Sequence, residues 1–566
     1  MKQPTTMFSS LQRAQNFEAL NQQHFDLLII GGGITGAGVA LDASSRGLSN
    51  VVFEKQDFAA GTSSRSTKLI HGGLRYLKQL EINLVREVGQ ERALLHRNAP
   101  HIVQPKQMLL PIIKEGALGK TSTALGLYVY DWLANVDDDE RRTMHDKNEV
   151  MQMEPLLRED ILQAGGKYWE YQTDDARLTI EVLKTAVQMG SHAFNYTEIT
   201  DFLYNNNNKI IGAKIYDHIN QKPIIVYAQH IVNAAGPWVD QLRRKDDIVK
   251  GKRLHLTKGV HIVVPYNRLP LQQAVYFDVQ DGRMIFAIPR GKTTYIGTTD
   301  TFYHNNLSIE KPQIDIEDVQ YLLAATNDMF PSVKLNIQDI VSSWVGLRPL
   351  IHEDGKSPSE LSRKDEIFIS SKGLISIAGG KLTGFRKMAE RTIDVVQKER
   401  YKQNNSPINT SNTEEIKLSG GNFKKPEDIP QYIKNLHQTH NQLPITQQQI
   451  QDLVYKYGTN TPIILQKYQQ LTQTNPKTSD TQKLLIAELQ YSIQHEMTTN
   501  LSDFLIRRTS KLYFERETIE DNQFLLLDEL AQQLKWTKKQ KLEYLREFEQ
   551  EYQAVLNFQQ QQQQQT

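Results

Sequence analysis

The stretch Phe25 to Glu54, FDLLIIGGGITGAGVALDASSRGLSNVVFE, limits what this chain can fold into more than any other part of it. Leu27 to Ile30 is an apolar run suited to a strand buried on both faces. Gly31, Gly33 and Gly36 follow in G-x-G-x-x-G spacing, and the small residues Ala37, Gly38, Ala40 and Ala43 suit a helix lying close on a sheet. A second strand, Val51 to Phe53, ends in Glu54. Each of these positions has a task in a dinucleotide fold. Gly31 allows the tight turn, Gly33 lets the backbone approach a pyrophosphate, and Gly36 lets helix and strand pack closely. The helix N-terminus presents unpaired N–H groups and a positive dipole end to the phosphates. Glu54, about 20 residues beyond the glycines, can accept hydrogen bonds from a ribose hydroxyl. The motif leaves open which dinucleotide is meant.

The rest of the chain narrows the choice. A length of 566 residues suggests about two to four domains. Lys+Arg 66 against Asp+Glu 65 leaves a net charge of +1, so no global field points to nucleic acid. Cysteine is absent, which excludes a disulfide framework, a thiolate nucleophile, Cys-ligated zinc or iron–sulfur, and flavin attachment through sulfur. No metal is expected. No apolar run reaches the roughly 18 residues of a membrane span. The first 24 residues are polar and lack the apolar core of a secretory signal. The expectation is a cytoplasmic protein whose membrane contact is peripheral.

Residues 1–24 read as a polar leader. After Glu54, QDFAAGTSSRSTKLIHGGLRYLKQ is rich in Gly, Ser, Thr and basic side chains. With Thr62, Ser63, Ser64 and Lys68 it suits wrapping a phosphorylated cofactor, and it holds Arg65, His71 and Arg75 close together. Residues 80–150 read as largely helical, with a candidate strand at MLLPIIK, 108–114. Asp174 and Asp175 precede a helix beginning near Leu178, where capping and a functional role stand as equal alternatives. NNNNK, 205–209, is a hairpin tip. QHIVNAAGPWVDQLR repeats the strand–small-residue–helix pattern, with Ala235 and Gly236 at the turn, and fits a return to the nucleotide-binding sheet. Residues 253–300 alternate with period two, as an antiparallel sheet covered on one face does. GLISIAGGKLTGFRKMAERTIDVV is a third such unit, in which Gly380, Lys381 and Leu382 lead to a helix starting near Thr383. Beyond about residue 400 a polar linker, 401–414, precedes a separate helical domain, 415–558. The glutamine-rich tail, 559–566, is expected to be disordered.

Taken in order, IIGGGITGAGVALDA, TSSRSTKLIHGGLRYL, NAAGPWVD, LTKGVHIVVP, FAIPR with IGTTDT, GLRPL, LSRKDE and IAGGKLTGFRKMAE resemble the FAD-dependent glycerol-3-phosphate dehydrogenases of the aerobic bacterial type. The tail, with LIRRTSKLYF at 505–514, is similar to that family's C-terminal domain. The resemblance implies an α/β fold of the D-amino-acid-oxidase type. A Rossmann-like FAD-binding domain (about 25–80, 150–250 and 345–400) is interleaved with an antiparallel-sheet substrate domain (about 80–150 and 251–344), and an all-α C-terminal domain follows. It implies oxidation of sn-glycerol 3-phosphate to dihydroxyacetone phosphate in glycerol catabolism, with FAD as cofactor and electrons passed to a membrane quinone. The chain would then sit peripherally on the membrane, and a homodimer is open to it.

Oxidising a secondary alcohol requires a hydride acceptor, a place for the hydroxyl proton and a clamp for the phosphate. Arginine's planar fork suits that clamp. The resemblance places Arg348 and Lys381 at the substrate oxygen, and Arg363 and Arg75 at the phosphate. It leaves His71 and His261 as alternatives for the base. Gly31, Gly33, Gly36, Glu54, Thr62, Ser63, Ser64, Lys68, Ala235, Gly236, Gly380, Leu382 and Thr383 are the expected cofactor ligands. Two rivals remain. An oxidase would use the same groups with O2 as acceptor, but that branch carries an extra segment between the GLRPL and GGKLT motifs for which there is no room here. A non-catalytic flavin-binding scaffold would not need the basic set. LKWTKKQKLEYLREF, 534–548, and LIRRTSKLYF mix basic and apolar residues as surface-lying membrane helices do, and as partly buried helices of a cap domain also do.

Overall fold

The glycine motif sits where the sequence puts it, between the central strand of a parallel sheet and the helix that covers it. That strand, His24–Ile30, lies between Asn50–Phe53 on one side and Lys222–Asn233 on the other; His192–Phe194 and Leu374–Ala378 extend the parallel sheet outward. In the computed structural model, residues 8–71, 82–114, 142–249, 251–304, 307–352 and 365–565 are described. The apolar run is buried because its alternate side chains serve two cores. Leu27 and Ile29 pack with the helices Ile34–Ser45, Asp175–Gln188 and Phe385–Asn404, while Leu28 and Ile30 pack with Phe17, Ile199 and Ile215 on the opposite face. The antiparallel hairpin Thr197–Tyr204 and Ile210–Asp217, turned at 205–209, borders the first half of Lys222–Asn233.

A second sheet faces the first. Its order is Thr301–Phe302, Arg253–Pro265, Thr293–Gly297, Met284–Arg290, Ala274–Asp278, Gln104–Ile113, Leu162–Gln172, Leu69–Ile70, with Ser342–His352 paired along Arg253–Pro265. All its pairings are antiparallel except Ala274–Asp278 with Gln104–Ile113. Two strands expected among the nucleotide-binding segments, Leu162–Gln172 and most of Ser342–His352, belong to this second sheet. The reason is visible in LQAGGKYWEYQ, which lacks the β-branched run that a doubly covered parallel strand needs.

The helical C-terminal domain docks closely on the second sheet. Its helices Ile429–Thr439, Gln447–Tyr457, Thr461–Thr474 and Asp480–His495 share a core of their own, but Leu489, Phe504, Leu512, Leu526 and Phe548 pack onto Met108, Tyr168, Tyr295 and Trp344 of the second sheet. Residues 534–548 accordingly turn Leu545, Phe548 and Trp536 inward, and Leu542, 55% exposed, is left outside. Among the described residues no helix is long and apolar enough to cross a membrane. Three further expectations change. From residue 8 onward the leader joins the core: Phe8, Phe17 and Leu20 are buried, and Ser10 N–H donates to Ile493 O at 2.9 Å. The linker is docked through Asn409, whose amide donates to Arg46 O at 3.0 Å. The glutamine tail forms the helix Asn557–Gln565, because Phe558 inserts into the second-sheet core and Gln561 accepts from the N–H of Ile316.

A buried charge cluster joins the two parts. Arg177 donates both terminal nitrogens to the two oxygens of Glu496 at 2.8 Å, and Lys184 reaches Glu496 at 3.1 Å and Glu181 at 3.1 Å. Despite burial, Arg177 and Lys184 hold the Glu496 carboxyl at about 2, below its ordinary 4.5. A carboxyl with a depressed folded pKa contributes stability above its unfolded value, and that contribution disappears as pH falls through the folded one. Glu496→Gln should therefore lower unfolding free energy by about 3 kcal/mol at neutral pH. The deficit relative to wild type should narrow between pH 4.5 and about 2. Denaturant titrations at several pH values measure both; an equal deficit at every pH would show that charge is not the cause.

Candidate active site

The two sheets enclose a cavity of about 590 Å³, within the usual range for small-molecule sites. From the first sheet it is walled by Gly31, Gly33, Glu54, Thr62, Ser63, Ala235 and Gly236. His71, His261, Arg348, Gly380, Lys381, Leu382 and Thr383 also line it.

The glycine turn is made by steric necessity. Gly31 has φ +109°, and a Cβ there would lie 2.6 Å from Ala234 O. At Gly36 a Cβ would lie 1.9 Å from Gly31 O, so Gly36 packs the helix on the strand and does not line the cavity. Gly33 is the N-cap of Ile34–Ser45 and supplies no side-chain cap, so the helix opens onto the cavity with Gly33, Ile34 and Thr35 in its wall. Ser63 Oγ accepts from Ile34 N–H at 2.9 Å. Glu54 is set in place before any ligand arrives: its oxygens accept from Gly32 N–H at 2.7 Å and Gln56 N–H at 2.9 Å. Burial raises its pKa, and those two amides oppose the rise.

Two expected cofactor ligands point elsewhere. Lys68 is fully buried and pairs with Asp175 at 2.6 Å and with Ser64 O at 3.0 Å, over the faces of Trp344 and Tyr513; neither Lys68 nor Ser64 lines the cavity. A lysine head that deep is held where a carboxylate compensates its desolvation. The same contact settles the Asp174–Asp175 alternative. The helix starts at Asp175, Asp174 caps it by accepting from Arg177 N–H, and Asp175 also accepts from Ser66 N–H, pinning the loop. Asp174 is structural, and Asp175 shapes the cavity wall from behind.

The reactive groups sit on the second sheet and on the turn after Leu374–Ala378. Arg348 Nη2 donates to Thr298 Oγ1 at 2.9 Å, and Nη1 to Thr299 O at 3.2 Å and Asp300 at 3.3 Å. Gly259 makes room for it, since a Cβ there would lie 2.2 Å from Nη2. His261, 1% exposed, stacks on Trp344 with centroids 4.8 Å apart, and its Nε2 lies 3.1 Å from Thr67 Oγ1 while Nδ1 is sealed without a partner. Burial, then the charges of Arg348 and Lys68, push its pKa well below the ordinary histidine value. The Thr383 hydroxyl takes the N–H of His71 and returns a bond to His71 O, each at 3.2 Å, which ties the two cavity walls together. The helix after Lys381 begins at Phe385, later than expected, because Thr383 is engaged with His71. Arg75 and Arg363 lie outside the described residues.

Sequence reading missed Thr67, Trp344, Thr298 and the stacked pair Tyr276–Phe286, with centroids 4.0 Å apart. Period-two spacing back from Arg348 along its strand was the available signal for Trp344; nothing local marked Thr67. Among the described residues no cluster suited to a metal is present. The helix end in the cavity wall, the crowded glycines and the oriented Glu54 fit a dinucleotide.

Comparison with known proteins agrees. The family model "FAD dependent oxidoreductase" matches residues 26–386, and "C-terminal domain of alpha-glycerophosphate oxidase" matches 411–541. The aerobic glycerol-3-phosphate dehydrogenase of Bacillus subtilis (strain 168) is 46% identical over 94% of this chain and 96% of its own length. That of Staphylococcus aureus (strain USA300) is 46% identical over 96% and 97%. The crystal structure of the Bacillus halodurans glycerol-3-phosphate dehydrogenase, complexed with FAD, superposes with a TM-score of 0.83 at 41% identity, over 97% of this chain and 99% of that one. L-α-glycerophosphate oxidase from Mycoplasma pneumoniae, 19% identical with a TM-score of 0.53, shares the fold over 66% of this chain and 95% of its own. A chain with this cavity and this likeness along nearly its whole length belongs to the aerobic glycerol-3-phosphate dehydrogenases, a family of FAD-dependent oxidoreductases.

Proposed function

We propose that this protein oxidises sn-glycerol 3-phosphate to dihydroxyacetone phosphate and passes the electrons to a membrane quinone. The observation that supports this reading best is the meeting of Arg348, Lys381, His71 and His261 on a cavity that the helix N-terminus at Gly33, Ile34 and Thr35 also lines. FAD, when bound, supplies the hydride acceptor. Gly31, Gly33, Ser63 and the start of Ile34–Ser45 hold its phosphates, and Glu54 holds the adenosine ribose. Gly380, Leu382 and Thr383 would hold its redox end, and Lys381 would serve that end.

The chain's own work is to bind, orient and take a proton. Arg348 and Lys381 orient the substrate oxygen, and Arg363 and Arg75 clamp the phosphate. Arginine stays protonated in proteins, so Arg348 is not the base. Of the two histidines, His71 fits that task better. The ring of His261 is clamped by Trp344 and Thr67, and its cationic surroundings oppose a second positive charge. His261 then serves as a neutral wall and hydrogen-bonding group. Quinone as acceptor requires surface contact with a membrane, for which Leu542, exposed among Lys538 and Lys539, is an anchor. The spacing between Arg348 and Lys381 favours quinone over O2.

Four measurements test these roles. Anaerobic glycerol 3-phosphate should bleach the flavin absorbance, and Lys381→Met should slow turnover by about 10²-fold with FAD still bound; unchanged kinetics would remove Lys381 from the site. In pH profiles of kcat/KM, His71→Asn should abolish the acidic limb. His261→Asn should lower the rate while leaving that limb in place, because His261 is neutral throughout. A limb that disappears only with His261 would reverse the assignment. Finally, the purified enzyme should reduce a quinone analogue much faster than it forms peroxide; the opposite ratio would make it an oxidase.

A further inference from the structure

LIRRTSKLYF, one of the two segments with a membrane-like mixture of charge and apolarity, is buried. Its arginines lie in a π-helical turn, Asp503–Arg508, where Arg507 is 5% exposed and Arg508 1%. Both converge on one carboxylate. Arg507 Nε donates to Asp57 Oδ2 at 2.6 Å; Arg508 donates from Nη1 to Oδ2 at 2.7 Å and from Nη2 to Oδ1 at 2.9 Å. Asn195 adds a bond to Oδ1 at 2.9 Å.

Asp57 lies midway along the loop from Glu54 to Thr62, two residues that line the cofactor cavity. The loop's other ties include Gln56 O accepting from Tyr196 N–H at 2.7 Å, Ala59 N–H donating to Gly32 O at 3.1 Å, and, at its two ends, Glu54 O accepting from Thr197 N–H at 2.7 Å and Thr62 Oγ1 donating to Leu347 O at 2.7 Å; Asp57 holds its middle. Gly32 and Gln56 are the residues whose N–H groups orient the Glu54 carboxylate. Arg507 also reaches Asp503 at 2.9 Å, and Asp503 accepts from Tyr196 OH at 2.6 Å, so the network returns to the same loop through Tyr196. Two guanidiniums thus face two carboxylates, and Asp57 is held well below the usual carboxylate range by both arginines in spite of its burial. A buried carboxylate deprived of a partner must be hydrated or protonated. At Asp57, either would displace the loop that positions Glu54 and Gly32.

We propose that Arg507 and Arg508 are positioning residues for FAD: through Asp57 they fix the path of the Glu54–Thr62 loop, so that the C-terminal domain sets the affinity for a cofactor it does not touch. Neither arginine lines the cavity, and both fall within the match to the C-terminal domain and outside the match to the FAD-dependent oxidoreductase domain. The inference depends on FAD as cofactor and is independent of the substrate and the electron acceptor.

The test is titration of the full-length apoprotein with FAD, read by flavin fluorescence without substrate, alongside thermal unfolding of each apoprotein. Arg508→Lys keeps the charge but loses the two-pronged contact, and should raise the Kd for FAD on the order of tenfold, the scale on which loss of supporting contacts is felt at ligand sites. Asp57→Asn should raise it further. Tyr196→Phe, which removes only the hydroxyl at the far end of the network, should raise it a few-fold. At saturating FAD, Arg508→Lys should regain wild-type kcat, since the arginine is remote from the reacting atoms. If Arg508→Lys and Tyr196→Phe bind FAD within about twofold of wild type while only their unfolding temperatures fall, the network is structural and the proposal is wrong. Should Asp57→Asn fail to fold, those two variants decide.

Discussion

Everything about the cofactor side of this protein depends on one backbone contact, the approach of Gly36 to the carbonyl of Gly31. A side chain at Gly36 would place its Cβ 1.9 Å from that oxygen. No rotamer change relieves such a clash, because both partners are main chain. The contact lets the helix Ile34–Ser45 start directly at the end of the central strand, and this directs its N-terminus into the cavity wall. Gly31, whose absent side chain would meet Ala234 O, extends the same closeness to the neighbouring strand. The parallel sheet, its covering helices and the reach of Glu54 to Gly32 N–H all follow from having backbone where side chains would otherwise stand.

Features of this kind were the ones legible in the sequence. Glycine spacing, a doubly buried apolar run and repeated strand–small-residue–helix units are local signals, and they located the first sheet and most of the cavity wall. Arg348, Lys381, His71 and His261 came from motifs, and all four line the cavity. What could not be read was set by partners distant in sequence. Lys68 looked like a phosphate ligand because it lies in a cofactor-wrapping loop, yet Asp175, more than a hundred positions later, captures it. Strand Leu162–Gln172 joined the second sheet because its register is made with Gln104–Ile113, a pairing invisible to periodicity. The glutamine tail reads as disordered by composition, but Phe558 supplies an anchor that composition does not weigh.

The same reasoning explains why the close docking of the helical domain is not legible in the sequence. Polar linkers suggest independence, and 401–414 is polar. Its polarity is spent on the neighbouring helix, where Asn409 and Arg46 exchange bonds in both directions. Beyond it, Glu496 accepts from Arg177 and Asp57 accepts from Arg507 and Arg508, so charged side chains from each part are buried against the other. Such pairs contribute little net stability compared with apolar packing, but breaking one is costly. They therefore act mainly on specificity: they permit one docking of the helices on the two sheets and penalise any other.

That docking reaches the reactive end of the cavity as well. Trp344 stacks on His261 and also touches Tyr513 and Phe514, so a chain of aromatic contacts carries the position of the C-terminal helices to the imidazole. His261 is consequently rigid, desolvated and surrounded by positive charge from Arg348 and Lys68. A rigid neutral ring suits a fixed wall, whereas a proton acceptor must accommodate a new charge. His71 is placed differently. Its backbone is tied to Thr383 while its ring meets Phe286 edge-on. The two histidines thus differ in their packing: Trp344 meets the His261 ring face to face, and Phe286 meets the His71 ring edge-on.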